Sequence, residues 1–250
     1  MNHSQPIAEV LDAQCPHDKK VSCGNCRLNT ICLPLSLHID DIERLNHIVQ
    51  RNRPLQRGEY LVRANDPFSS IYAIRSGAVK ALTISDSGDE QVTGFYLPGE
   101  VVGLDGLADN RYVNSVIALE TSSVCEIPFN RLEELSAKLP SLQRHFFQIM
   151  SREITQEQQV ITLLSKSNAE ARIASLLLSI SIRNSRRALS ASKFVLPMSR
   201  TDIGNFLGLT IETVSRVFTR LQKSEVLNVD KKEISINDMN ALQQLTKGAE

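Results

Sequence analysis

Residues 199–227, SRTDIGNFLGLTIETVSRVFTRLQKSEVL, carry two helix starts separated by a glycine. Ser199 is placed to cap the first helix with Asp202 three residues on, Gly208 suits the turn, and Thr210 is placed to cap the second. On the second helix Ile211, Val214, Phe218 and Leu221 form an apolar stripe, while Glu212, Ser215, Arg216 and Thr219 recur at i, i+3, i+4 and i+7 on another face. One face packs and the other is available. The tail VLNVDKKEISI reads as two short strands around a DKK turn, the hairpin wing of a winged helix-turn-helix.

Upstream, AEARIASLLLSISIR is a short helical run, and RNSRRALSASK after it reads as a loop. Farther upstream the period is that of a longer helix: no Gly or Pro follows Pro140 for 25 residues, and Phe147, Met150, Ile154, Glu157, Ile161 and Leu164 are spaced 3, 4, 3, 4, 3. That is a coiled-coil seam with one acidic residue in it, suited to pairing with a second copy. In a parallel pair Glu157 meets its own copy, and two carboxylates about 4 Å apart at an effective dielectric near 20 repel by on the order of 4 kcal/mol. A solvated place at the rim of the seam is the alternative. Between about 55 and 130 the pattern changes again. Turn signals at Gly58, 65–67, 75–77, 86–89 and 97–100 bound alternating segments (SIYAIR, AVKALTI, VTGFYL, NSVIALE, SVCEIPF), which is an all-β sandwich or roll.

The 250 residues are 42% apolar and 22% charged, those of an ordinary globular chain, and their zero net charge hides a split. Residues 1–165 hold 15 Lys and Arg against 20 Asp and Glu; residues 166–250 hold 13 against 8, a balance suited to a polyanion. No secretory leader or membrane span is legible, which implies a cytoplasmic protein. On a recognition helix in that basic half, Arg216 suits guanine, Glu212 the amino group of cytosine, and Ser215 either type of base. The neutral alternative for those three residues is a solvated face.

Five cysteines remain, an odd number that argues against structural disulfides in a reducing compartment. Cys23, Cys26 and Cys32 form C-x2-C-x5-C, and Cys125 follows 92 intervening residues later in a predicted strand. Three close thiolates and one remote make a four-ligand set for zinc or an iron-sulfur cluster, and the wide x5 gap favours the bulkier group; free thiols are the neutral alternative, above all for Cys125 as a buried apolar residue of a strand. The five histidines, His3, His17, His38, His47 and His145, have no metal spacing. No dinucleotide fingerprint or Walker loop supports an enzyme.

In CGNCRLNTIC with VCEIPF, YAIRSG, GDEQVTGFYLPGE, LLSKSNAEARIA and DIGNFLGLTIETVSR, the chain resembles the oxygen-responsive fumarate and nitrate reduction (FNR) regulators of the cyclic-AMP receptor protein superfamily. The resemblance covers nearly the whole chain. It implies an α+β protein with a cysteine arm (1–35), a β-roll sensor domain (36–138), a dimerisation helix (139–165) and a winged helix-turn-helix domain (166–250). It further implies one [4Fe-4S] cluster per subunit on Cys23, Cys26, Cys32 and Cys125, and a homodimer that binds DNA without oxygen. Oxygen would convert the cluster to a two-iron form and release monomers, with nitric oxide a second candidate signal. Glu212, Ser215 and Arg216 would read TTGAT half-sites of a palindrome. RNA polymerase would be a partner, contacted through the loop at Asp86, and Met150, Ile154, Glu157 and Ile161 would form the dimer switch.

Two positions depart from the family pattern. Cys15 is separated from Cys23 by seven intervening residues and is left out of the site, and Arg27 follows the second ligand where small polar residues are common. A cation there should favour a net-negative cluster. Cyclic-nucleotide binding is the alternative within the superfamily, because PGE at 98–100 matches the start of a phosphate cassette. The arginine, small hydroxyl and alanine that should follow read Arg111, Tyr112 and Val113 instead.

Overall fold

The computed structural model describes residues 21–35, 37–85, 87–166 and 168–247. Cys15, His3, His17 and the Asp86 position fall outside the described residues.

After helix α1 (Ile39–Ile48), eight strands fold into a two-layered roll: β1 (Gln50–Arg51), β2 (Tyr60–Val62), β3 (Ser70–Ser76), β4 (Val79–Ile84), β5 (Glu90–Tyr96), β6 (Val101–Val102), β7 (Ser115–Ala118) and β8 (Ser123–Pro128). One sheet has the order β1-β8-β3-β6 and the other β2-β7-β4-β5, all neighbours antiparallel. The alternation of β3 and β8 divides their side chains between two cores. Tyr72, Ile74 and Val124 point between the sheets, while Ile71, Ala73 and Ile127 face outward beneath Leu33 of the cysteine arm and Leu45 of α1. The first sheet is therefore covered on both faces, and the cysteine arm forms part of its outer cover.

Helix α2 (Phe129–Lys138) leads to α3 (Pro140–Lys166), which starts on the proline whose missing N–H costs nothing at a first helical position. Leu142 and Phe146 bury its first turns in the outer core. Beyond them Phe147, Ile154 and Ile161 are exposed and Met150 is half-buried. The stripe of the expected seam is present and stands open.

The remaining elements are α4 (Ala169–Arg186), β9 (Lys193–Val195), α5 (Arg200–Leu207), α6 (Ile211–Lys223), β10 (Leu227–Asp230), β11 (Glu233–Ile236) and α7 (Met239–Lys247). Two expectations need correction here. The stretch RNSRRALSASK is not all loop: α4 continues to Arg186, because Ser181 is buried and donates to the Ala191 carbonyl at 2.6 Å, and Asn184 is also buried. Lys193 then opens a strand, so the wing is a three-stranded sheet, β10-β11-β9, rather than a bare hairpin.

The winged domain does not stand apart. Its core is continuous with Ala78, Val92, Phe95, Leu97 and Leu119 of the roll. Polar contacts frame that junction: Lys80 Nζ lies 2.7 Å from Asp202, and Arg183 on α4 donates to both oxygens of Glu100 and to the Phe95 carbonyl.

Candidate cluster cavity and DNA-reading helix

The cysteine arm is a chain of tight turns. Cys26 N–H donates to the Cys23 carbonyl, Asn29 N–H to the Cys26 carbonyl and Cys32 N–H to the Leu28 carbonyl. Leu28 and Leu33 are buried and hold the arm against the outer sheet face. The Cys23 N–H donates to Oδ1 of Asn46 on α1 at 3.0 Å. Ile31 covers the turn before β6, where Gly99 has φ +92° and a Cβ would lie 2.6 Å from the Ile31 Cδ1. The positive φ calls for glycine there, and a side chain would have to displace the end of Ile31. The neighbouring residue of this turn is Glu100, the partner of Arg183.

Cys125 enters from β8. In the ladder it stands opposite Arg51 of β1 and Ala73 of β3, so all three project from the outer face. Cys23, Cys26, Cys32 and Cys125 line one pocket, together with Arg51 and Arg75. Residues far apart in sequence thus meet on one wall.

The thiols lie close enough to influence one another's charge, although among the described residues no group of three or more His, Cys, Asp or Glu forms a ready-made site for one metal ion. Four thiols in one lining, three from the arm and one from β8, are a donor set that fits a metal-thiolate group such as a cluster. Burial pushes the Cys23 thiol up to about 11, against the pull of Arg51. Burial also raises Cys32, with its hydrogen bond to the Leu33 backbone opposing, and raises Cys125 against the pull of Arg51 and Arg75. Thiols so placed stay protonated until a bound cation displaces the protons. Arg27, expected to favour the cluster, is exposed and absent from the cavity lining; the cations there are Arg51 and Arg75. Spacing could not show this, because both arginines reach the wall through strand register.

At the other end of the molecule, Ser199 and Asp202 form a reciprocal capping box on α5, Gly208 adopts φ +63° in the turn, and Thr210 accepts from the Thr213 N–H at the start of α6. Val214, Val217, Phe218 and Leu221 are buried; Ile211, expected in that stripe, is 44% exposed, and Val217 takes the packing place instead. Ile211 lies in the first turn of α6, where the helix begins. Glu212, Ser215, Arg216 and Thr219 are all exposed. Arg172 joins this end to the long helix, donating to the carbonyls of Leu164 on α3 and Leu207 on α5 at 2.7 and 2.9 Å.

Comparison with known proteins gives this geometry a lineage. The cyclic nucleotide-binding domain family matches residues 52–138, and the Crp-like helix-turn-helix domain family matches 171–245. The transcriptional activator protein FnrA of Stutzerimonas stutzeri is 52% identical over 231 residues, covering 92% of this chain and 95% of that protein. The chain belongs to the CRP/FNR family of transcription regulators. Within it, the similarity extends to the fumarate and nitrate reduction regulatory protein of Yersinia pestis, 45% identical over 90% of both chains. In fold, the regulator is similar to FixK2 of Bradyrhizobium japonicum, with a TM-score of 0.73 and 27% identity over 79% of this chain and 97% of that one.

In this CRP/FNR protein Tyr112, from the stretch that departs from the nucleotide cassette, packs into the interior of the roll. Tyr112 is buried between the sheets, donates to the Ser70 carbonyl at 2.7 Å and stacks edge-on with Phe68. Arg111 donates outward to the Asn65 carbonyl, and Glu100 is taken by Arg183 and the Leu97 N–H. Among the described residues no helix is long and apolar enough to cross a membrane.

Proposed function

We propose that this CRP/FNR regulator senses oxygen through a [4Fe-4S] cluster held by Cys23, Cys26, Cys32 and Cys125, and that the cluster-bearing form is a homodimer that binds DNA. The observation that carries the reading is the single cavity lined by all four thiols, three from the arm and one from β8. The cluster supplies the oxygen-labile chemistry. The protein's own residues hold the arm, exclude solvent and pass the state of the arm onward. Ile31 seats the arm on the Gly99–Glu100 turn, and Glu100 in turn holds Arg183 of the winged domain.

The dimer is built on the open stripe of α3, with Phe147, Met150, Ile154, Ile161 and Leu164 paired across a two-fold axis and Glu157 opposing its copy. Repulsion there holds dimerisation near balance, so the few kcal/mol gained by ordering the arm around a cluster decide the state. Only a dimer spans two half-sites. Glu212, Ser215 and Arg216 then read TTGAT half-sites from the exposed face of α6, with oxygen, and by the same chemistry nitric oxide, as the signal that releases monomers. RNA polymerase is the further partner, and the protein acts in the cytoplasm as activator or repressor of anaerobic genes. The nucleotide alternative is disfavoured by the buried Tyr112, and zinc is the alternative that metal analysis separates from a cluster.

The test is the iron and acid-labile sulfide content of protein purified without oxygen, beside Cys125→Ser. The parent should carry both with a broad visible band, and Cys125→Ser should lose them. A colourless parent holding zinc would overturn the sensor reading and leave the DNA-binding domain intact.

A further inference from the structure

We infer that Arg51 and Arg75 are the built-in countercharges of the four-thiolate group, and that they set how tightly it is held and how readily it gives up an electron. The redox half of this inference rests on the cluster reading above; the charge half does not.

Arg51 is fixed from two sides. It stands opposite Cys125 in the β1–β8 ladder, and its Nη2 donates to Asn46 Oδ1 at 2.6 Å while lying 3.6 Å from the Cys23 sulfur. Asn46 also accepts from the Cys23 N–H, so one amide positions both the cation and the first thiol. Arg75 arrives from β3, two residues beyond Ala73, the other partner of Cys125 in the ladder. Both guanidiniums line the thiol cavity.

Their hydrogen bonding is incomplete. The Nε of Arg51 and Nη1 of Arg75 are buried, and among the described residues neither has a hydrogen-bond partner. Nor does either arginine form an ion pair with a carboxylate among the described residues. Both arginines are half-buried, and for each a buried N–H without a partner and a charge without a countercharge are costly to hold. Negative charge inside the cavity resolves both. Four thiolates around a metal group supply it, since the thiolate charges outweigh the metal charge in a resting cluster and in a zinc tetrathiolate alike.

The direction of the effect follows from Coulomb's law. Loss of an electron to oxygen makes the cluster less negative and weakens its attraction to the two guanidiniums. The arginines therefore favour the electron-richer state and slow oxidative decay. They equally favour the metal-loaded, deprotonated cysteine set over the empty one. Arg27, outside the lining, should contribute less to either effect.

Four full-length variants test this: Arg51→Gln, Arg75→Gln and the two matching lysine substitutions, purified anaerobically and compared with Arg27→Gln. The glutamine variants at 51 and 75 should bleach several-fold faster in air and show a lower midpoint potential in spectroelectrochemical titration. The lysine variants should stay near the parent, and Arg27→Gln should change little. In parallel, metal-free protein is titrated with Zn2+ against a chromophoric chelator, where the glutamine variants should bind several-fold more weakly. Parental decay, potential and Zn2+ affinity in both glutamine variants would overturn the inference. So would lysine variants that fall as far as the glutamine ones, since that would show guanidinium packing rather than charge at work. Should the parent itself carry no iron and sulfide, the cluster reading fails, and the Zn2+ competition alone decides the charge inference. If one glutamine variant does not fold, the lysine pair and the other glutamine variant decide between charge and packing.

Discussion

Helices α3 and α6 are both amphipathic, and they use their apolar stripes in opposite ways. On α6, Val214, Val217, Phe218 and Leu221 are all 5% exposed or less, so the stripe is consumed inside the winged domain and the polar face is left free. On α3 the corresponding stripe keeps Phe147 and Ile154 at 57% exposure and Ile161 at 66%. A helix that hides its apolar face within its own chain presents chemistry to a polar partner. A helix that leaves that face open offers area, each fully buried large apolar side chain being worth about 1.5–3 kcal/mol. Amphipathic period alone does not distinguish the two; what distinguishes them is whether neighbours such as α4 and α5 pack over the stripe.

Paired substitutions put that contrast at risk. Phe218→Ala should cost about 3–5 kcal/mol of stability in chemical denaturation. Ile154→Ala should leave the monomer's unfolding within about 0.5 kcal/mol while weakening self-association. Equal losses of monomer stability would mean that the α3 stripe is packed within the chain after all. Glu157→Ala probes the same stripe, by removing a seam repulsion on the order of 4 kcal/mol before solvent relaxation. Sedimentation in air should then find a dimer, and a variant as monomeric as its parent would dismiss Glu157 as the switch.

On the α6 side, Arg216→Ala should lose about 1–3 kcal/mol of operator preference while keeping salt-sensitive general binding. Competition between specific and scrambled duplexes across a salt series reads this directly, and an unchanged ratio would place base reading elsewhere. The smallest expected effect is that of Ser199→Ala, which should cost about 1 kcal/mol by opening the capping box of α5. A thermal melt indistinguishable from the parent would show that the junction with the roll, not the cap, fixes that helix.

Much of the winged domain was legible because its signals are local. Ser199, Gly208 and Thr210 each act on backbone within a few residues of themselves, and the structure shows all three in the expected roles. The same holds for the strands bounded by turns at Gly58, Gly77 and Gly99. Polar residues misled where tertiary burial overrides their surface preference: Ser181 and Asn184 are inside, which carries α4 through a stretch that reads as loop. Ile211 misled in the opposite sense, since the helical period marks it as core while its place in the first turn leaves it exposed.

The cavity was half legible. Cys23, Cys26 and Cys32 announce themselves by spacing, and Cys125 only by its type. Arg51 and Arg75 could not be found that way, because what joins them to the cysteines is the pairing of β1, β8 and β3. Arg27 was the visible cation in the sequence, adjacent to Cys26, yet it is exposed. Adjacency along a turn-rich arm does not fix direction, whereas register in a ladder does. Tyr112 lies between these cases: its departure from the cassette was readable, but not that its ring would fill the interior and bond to Ser70.

Everything proposed for the sensor comes down to one link: the state of the cysteine cavity decides whether the open stripe of α3 finds a second copy. Sedimentation velocity with simultaneous visible absorbance, on protein prepared without oxygen and then exposed to air, follows both ends of that link at once. The coloured species should sediment as a dimer, and monomer should appear as the colour fades. A coloured protein that stays monomeric, or a dimer that persists after complete bleaching, would contradict the link.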